Sequence, residues 1–143
     1  MPINEMEGSA AGDGDELWMV VAVIQPFKLD AVMLALEGIP EFGGMTVTKC
    51  QGFGRAKVPS GRAEVAGAPR RSMDSGLADY TEKVKLEVAV RGREQRLRVV
   101  DTIVRTAHTG NRGDGKVFVW PFSQAVRIRT FETDGAAIGG GNE

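Results

Sequence analysis

At 143 residues the chain is long enough for one domain with a real hydrophobic core and short for two. Hydrophobic residues at 42% and charged residues at 26% are ordinary globular values, which excludes a low-complexity or largely disordered chain. A net charge of −1 gives no electrostatic footprint for nucleic acid or an anionic membrane. No apolar run approaches the roughly 18 residues needed to span a bilayer, and the single cysteine, Cys50, excludes an internal disulfide and fits a reducing cytoplasm.

Residues 1–16 carry Glu5, Glu7, Asp13, Asp15 and Glu16 with no cation, so they read as a disordered acidic extension and not as a leader, which needs positive charge. Leu17–Ile24 is an apolar run of strand length, stopped by Pro26. Leu29, Val32, Met33 and Leu36 follow at the spacing of one helix face, and Gly38 and Pro40 end that helix. Met45–Cys50 has β-branched alternation, and Lys83–Val90 alternates more cleanly, burying one face only. Leu97, Val100, Ile103, Val104 and Ala107 form a second helical stripe, Val117–Phe122 another strand, and Ala125–Thr130 a short last one. Residues 139–143 read as a loose tail.

Two consecutive β-α-β units predict a ferredoxin-like α+β sandwich, its sheet antiparallel and both helices on one face. The other face then needs a cover, which further subunits would supply. Trp18 and Trp120 read as sheet residues and candidates for that interface. The connection from about Arg55 to Glu82 has neither periodicity and carries Arg55, Lys57, Arg62, Arg70 and Arg71. A connection this long reads as a mobile arm that orders on a partner or ligand, or as a solvated insertion.

The chemistry concentrates in Thr109–Lys116, where three glycines, a carboxylate and two cations fall within eight residues and a strand follows. Gly110, Gly115 and Lys116 fit the start of a Walker A phosphate loop, but Val117 stands where a hydroxyl should hold magnesium, and no helix follows the lysine. The stretch therefore suits backbone N–H groups approaching phosphates without the parts for nucleotide turnover, or else is a Gly-Asp-Gly hairpin turn. Asp114 is expected to orient the loop by accepting backbone N–H bonds. His108 reads as a helix C-terminal residue and not a catalyst, and Cys50 as a strand residue. Arg127 and Arg129, two apart in the predicted last strand, would share one face and converge on one anion, or else form a solvated strand edge whose charge blocks aggregation.

Gln25-Pro26-Phe27-Lys28-Leu29, Gly44–Thr48, Gly52-Phe53-Gly54-Arg55, Lys83-Val84-Lys85, the Thr109–Lys116 loop, Arg127–Thr130 and Ala136–Ile138 stand in the order and at the spacing of a known family. From about Trp18 to Ile138 the chain resembles the PII signal-transduction proteins of the GlnB and GlnK type. The resemblance implies a cytoplasmic homotrimer of ferredoxin-like subunits spanning residues 17–138. It would bind ATP or ADP, with AMP a further candidate, in the clefts between neighbours and signal to a target protein through a T-loop at about residues 55–82. It implies nucleotide contacts from Thr46, Gly52, Phe53, Gly54, Arg55, Glu87, Thr109, Gly110, Gly113, Asp114, Gly115 and Lys116, with Arg127 and Arg129 reaching across from a neighbour. Lys116 would be the phosphate cation.

The departures matter as much. The family carries Gln two residues after the second glycine of Gly-Phe-Gly, where it holds magnesium and helps bind 2-oxoglutarate; here that residue is Ala56. A methyl group ligates no cation, so no metal ligand is assigned. Lys83 matches the family lysine that pairs with 2-oxoglutarate, and with Lys116 it would equally suit another small anion such as bicarbonate. Gln25 replaces the usual lysine before Pro-Phe-Lys, the T-loop is long, and its modified tyrosine has no counterpart, Tyr80 lying near the loop base. The expectation is a non-catalytic adenine-nucleotide sensor with weak or absent 2-oxoglutarate sensing. The alternatives are a bicarbonate-responsive sensor of the same fold, a phosphoryl-transfer enzyme without a paired base, and a ligand-free structural trimer.

Overall fold

The computed structural model of the protein describes residues 14–53, 70–71 and 79–139. Strand β1 (Leu17–Ile24) leads through a single 3-10 turn (Pro26–Lys28) into helix α1 (Leu29–Glu37), which ends at Gly38. Strands β2 (Thr46–Gly52), β3 (Arg70–Arg71) and β4 (Asp79–Arg91) follow, then helix α2 (Arg93–Ala107), strand β5 (Gly115–Phe122) and a short helix α3 (Gly135–Ile138). The sheet runs β2-β4-β1-β5 with every neighbour antiparallel, and β3 pairs with the start of β4. This is the ferredoxin-like order that two β-α-β units predict.

The core follows from the period of two in the strands and of 3.6 in the helices. Val20, Ala22 and Ile24 of β1 and Val84, Leu86, Val88 and Val90 of β4 point to one side, and Val32, Leu36, Val99, Ile103 and Ala107 of the helices close over them. Leu36, Leu86 and Ile103 are wholly buried, each such side chain contributing about 1.5–3 kcal/mol. Both helices therefore cover the same face. The opposite face carries the odd residues of β1 and β4 and the even residues of β5, where Phe118 and Trp120 are half exposed.

Three expectations change. Strand β4 begins at Asp79, so its first turn of alternation extends into the stretch read as loop, and Tyr80 stands inside the strand, its ring edge-on to Phe53. The predicted strand at Ala125–Thr130 does not form. Val126 makes one isolated bridge to Thr133, and Phe131 turns the chain at a φ of 64°. Alternating β-branched residues satisfy strand propensity, but among the described residues no further strand lies alongside to accept their ladder. Trp18 also differs from Trp120: it faces the helices, with the Arg96 guanidinium 4.1 Å from its ring centroid.

Candidate functional site

Three glycines with positive φ (Gly110 at 88°, Gly113 at 95° and Gly115 at 109°) shape the loop between α2 and β5. Gly115 is fixed by packing as well, since a Cβ there would lie 1.8 Å from the Val23 carbonyl oxygen on β1. Asp114 ties the loop. Its Oδ2 accepts the N–H groups of Thr109 at 2.7 Å and Gly110 at 2.9 Å, and Thr109 Oγ1 donates to Oδ1. Thr109 Oγ1 accepts in turn from Asn111 N at 3.1 Å. Burial would raise the Asp114 carboxyl, but these bonds and the His108 ring, 3.8 Å away, together hold it below the usual carboxylate range. His108 N donates to Val104 O at the end of α2, the helix-terminal place its sequence position suggests.

Lys83 and Gln25 meet the loop from beneath. Lys83 is only 8% exposed, and its Nζ donates to the Gly113 carbonyl. Burial lowers the Lys83 ammonium from its ordinary value, with Asp114 and then Cys50 opposing. Gln25 is 2% exposed and lies so close that a Cβ on Gly113 would meet its Nε2 at 2.8 Å; its Oε1 has no hydrogen-bond partner among the described residues. Gly52 and Phe53 complete this end of the sheet from β2, Gly52 standing opposite Thr81 and Cys50 opposite Lys83. Gly54, Arg55 and Ala56 lie outside the described residues.

Register sets the next two rows on the uncovered face. Thr48, Lys85, Val23 and Lys116 stand side by side, and then Thr46, Glu87, Val21 and Phe118. Thr46 and Glu87, singled out separately in the sequence, are thus direct cross-strand neighbours. Lys85 and Lys116 flank β1 two strand spacings apart, about 10 Å. Lys85 was not among the candidate residues, although alternation from Lys83 to Glu87 puts it on the same face; it pairs with Glu87 at 3.6 Å. Gln25 was also missed as a site residue, because nothing local reveals that its side chain is buried under Gly113.

Arg127 and Arg129 are elsewhere. Strand β5 ends at Phe122, beside Leu17 at the far end of β1 and seven residues of strand, about 24 Å, from Gly115, and these arginines follow that end. They do not lie on a strand and share no strand face, correcting the basis for their convergence. Arg127 Nη2 donates to Ala137 O at 3.1 Å and Gly139 O at 2.9 Å, with Glu132 at 3.7 Å, while Arg129 stands in an exposed turn. Among the described residues no group of three or more His, Cys, Asp or Glu is placed to hold a metal ion.

Fold and loop together define a ferredoxin-like α+β protein with a carboxylate-tied glycine loop at one end of its sheet. The family model described as nitrogen regulatory protein P-II matches residues 17–132. The nitrogen regulatory protein P-II of Klebsiella oxytoca is 44% identical over 119 residues, 82% of this chain and 96% of that protein. The P-II protein of Rhizobium etli is 42% identical over 120 residues, covering 84% and 98%. Among solved structures, Arabidopsis thaliana PII bound to citrate superposes with a TM-score of 0.62 at 32% identity, covering 86% of this chain and 92% of that one. The B. subtilis GlnK–ATP complex gives 0.64 at 23% identity, covering 87% and 97%, a likeness of fold. The chain belongs to the PII family and is a PII regulatory protein.

Proposed function

We propose that the protein binds adenine nucleotides between subunits of a cytoplasmic homotrimer and signals their identity through residues 55–82 to a partner protein. The observation that carries this reading is the separation of the cationic groups. Lys116 and the glycine loop occupy one end of the sheet, and Arg127 and Arg129 follow the other end of β5, with Arg127 bonded to Ala137 and Gly139, so one phosphate chain meets both sets only when a second copy brings its arginines to the loop. The half-exposed Phe118 and Trp120 on the helix-free face supply apolar surface for that association. In this arrangement Thr46, Gly52, Phe53, Gly54, Arg55 and Glu87 line the cleft beside the loop, and Lys116 neutralises phosphate. Lys85 joins them as a second cation on the same row.

The role is regulatory, without catalysis. Nucleotides that prefer different states of the partner-binding segment shift the population between those states by their difference in affinity. Isothermal titration with ATP, ADP and AMP tests the reading. Binding no tighter than about millimolar, roughly 4 kcal/mol, would defeat it, as would steady ADP release abolished by Lys116→Ala.

Ala56 in place of a metal-ligating side chain favours a second reading, in which 2-oxoglutarate sensing is absent and a smaller anion such as bicarbonate binds beside the phosphates near Lys83. Lys83 is partly desolvated and already bonded to the loop carbonyl, so an anion there would compete with Gly113 for its ammonium. Separate titrations of bicarbonate and 2-oxoglutarate into nucleotide-loaded protein discriminate the two, and a strong 2-oxoglutarate response defeats the second reading.

A further inference from the structure

The glycine loop follows the C-terminal end of α2, where the partial charge of the helix is negative. Asp114 adds a full negative charge: despite its burial, the bonds from Thr109 and Gly110 hold the carboxyl below the usual carboxylate range, so it is ionised near neutral pH. Both charges repel a phosphate chain. The ring that stands against them is His108. Its Nδ1 lies 3.8 Å from Asp114 Oδ2, and its other edge overlooks the loop backbone, where a Cβ on Gly110 would lie 3.8 Å from Nε2. The side chain is 70% exposed, and among the described residues neither ring nitrogen takes part in a hydrogen bond. The His108 N–H serves α2 by donating to Val104 O, a role that does not involve the ring.

We propose, resting on the nucleotide reading above, that His108 is a phosphate-binding residue of this loop, its imidazolium forming as the nucleotide arrives, so that binding takes up a proton. An imidazole is the side chain whose unperturbed titration, at about 6.5, falls near neutral pH, so added negative charge nearby decides its state. A permanent cation here would pair with Asp114 at all times and draw on Oδ2, which already accepts the Thr109 and Gly110 N–H groups. A titrating ring leaves that tie intact until phosphate is present. The other charged groups around it have their own places. Arg112 stands exposed at the tip of the loop, Lys83 is bonded to the Gly113 carbonyl beneath it, and Lys116 heads β5. On α2, Arg105 is bonded to Asp101 at 2.8 Å. Gln95 at the start of α2 bonds Pro40 beyond the end of α1, so the two helices run antiparallel and Lys28 and Asp30 lie towards the His108 end.

The test reads the ring itself in the full chain. His108 is the only histidine, so its carbon-bound ring protons give one set of NMR signals that reports protonation. At about pH 7, ATP should move these signals towards the charged form, and adenosine, which lacks phosphate, should not. Calorimetry of ATP binding in buffers of different ionisation enthalpy should show proton uptake that His108→Gln, a change on an exposed side chain, abolishes. From about pH 8 to about pH 6 the wild type should gain affinity for ATP relative to His108→Gln by up to about tenfold, about 1.4 kcal/mol. Protonation of ATP itself enters both profiles equally and cancels. Ring signals unmoved in ATP-saturated protein, the same movement with adenosine, or parallel pH profiles for wild type and variant would overturn the role of His108 and leave nucleotide binding standing. No ATP binding at any pH would remove the nucleotide reading, and His108 as a phosphate contact with it.

Discussion

Replacing Asp114 with alanine removes the acceptor of three hydrogen bonds, from Thr109 N, Gly110 N and Thr109 Oγ1. The loop is solvent-accessible, so the freed donors rehydrate, and the net loss is about 0.5–1.5 kcal/mol per bond, about 2–4 kcal/mol for the set. If bound nucleotide requires the tied loop, the same energy weakens its Kd by up to about 30- to 700-fold at about 1.4 kcal/mol per decade. The pH dependence has a fixed sign. The folded-state carboxyl titrates below its ordinary value, so its stabilisation is complete above the unfolded pKa of about 3.9 and is lost as pH falls through the lower folded pKa. Amide exchange measured by NMR reads the loop directly: Thr109 and Gly110 should lose protection in Asp114→Ala, and in the wild type only in acid. Unchanged protection of both amides in the variant at neutral pH would refute the carboxylate tie as the organiser of the loop.

Gly115→Ala should cost about 3–5 kcal/mol in urea denaturation, because a Cβ collides with Val23 O in a backbone conformation that side chains rarely adopt. Full stability in that variant would contradict the β1–β5 register. Lys83→Met should narrow the pH dependence of stability. The folded-state ammonium titrates below its ordinary value through burial, so its charge penalises the fold at neutral pH, and the penalty is relieved as pH rises towards the unfolded pKa of about 10.4. Denaturation series from neutral to alkaline pH should therefore show wild type gaining on the variant, and parallel curves would count against a desolvated Lys83. Trp120→Glu puts a charge on the helix-free face and should reduce the proposed trimer to monomer by light scattering while the helical circular dichroism persists; an unaffected mass would remove that face from the proposed interface.

Much of the fold was legible because its signals are local. The stripe of Leu29, Val32 and Leu36, and that of Val100, Ile103 and Ala107, announced two helices, and the alternation from Lys83 to Val90 announced a strand with one buried face. Asp114 was legible as the loop organiser because a carboxylate among glycines has few other things to bind. The stretch from Ala125 to Thr130 failed for the complementary reason: its alternation was sound, but a strand needs a partner, and among the described residues only Val126 and Thr133 meet there. Gln25 gave no signal, since an amide beside a proline reads as surface until Gly113 is seen to close over it.

Which residues share a face and which loop suits an anion can be read along the chain, because periodicity and glycine conformation are properties of neighbouring residues. Where the cations stand is set by the pairing of distant strands. Antiparallel pairing of β1 with β4 and β5 joins residues distant along the chain, gathering Lys83, Lys85 and Lys116 at one end and sending Arg127 and Arg129 to the other. That partition depends on strand direction and order, which no local pattern encodes, and it is what makes one subunit only part of the proposed site.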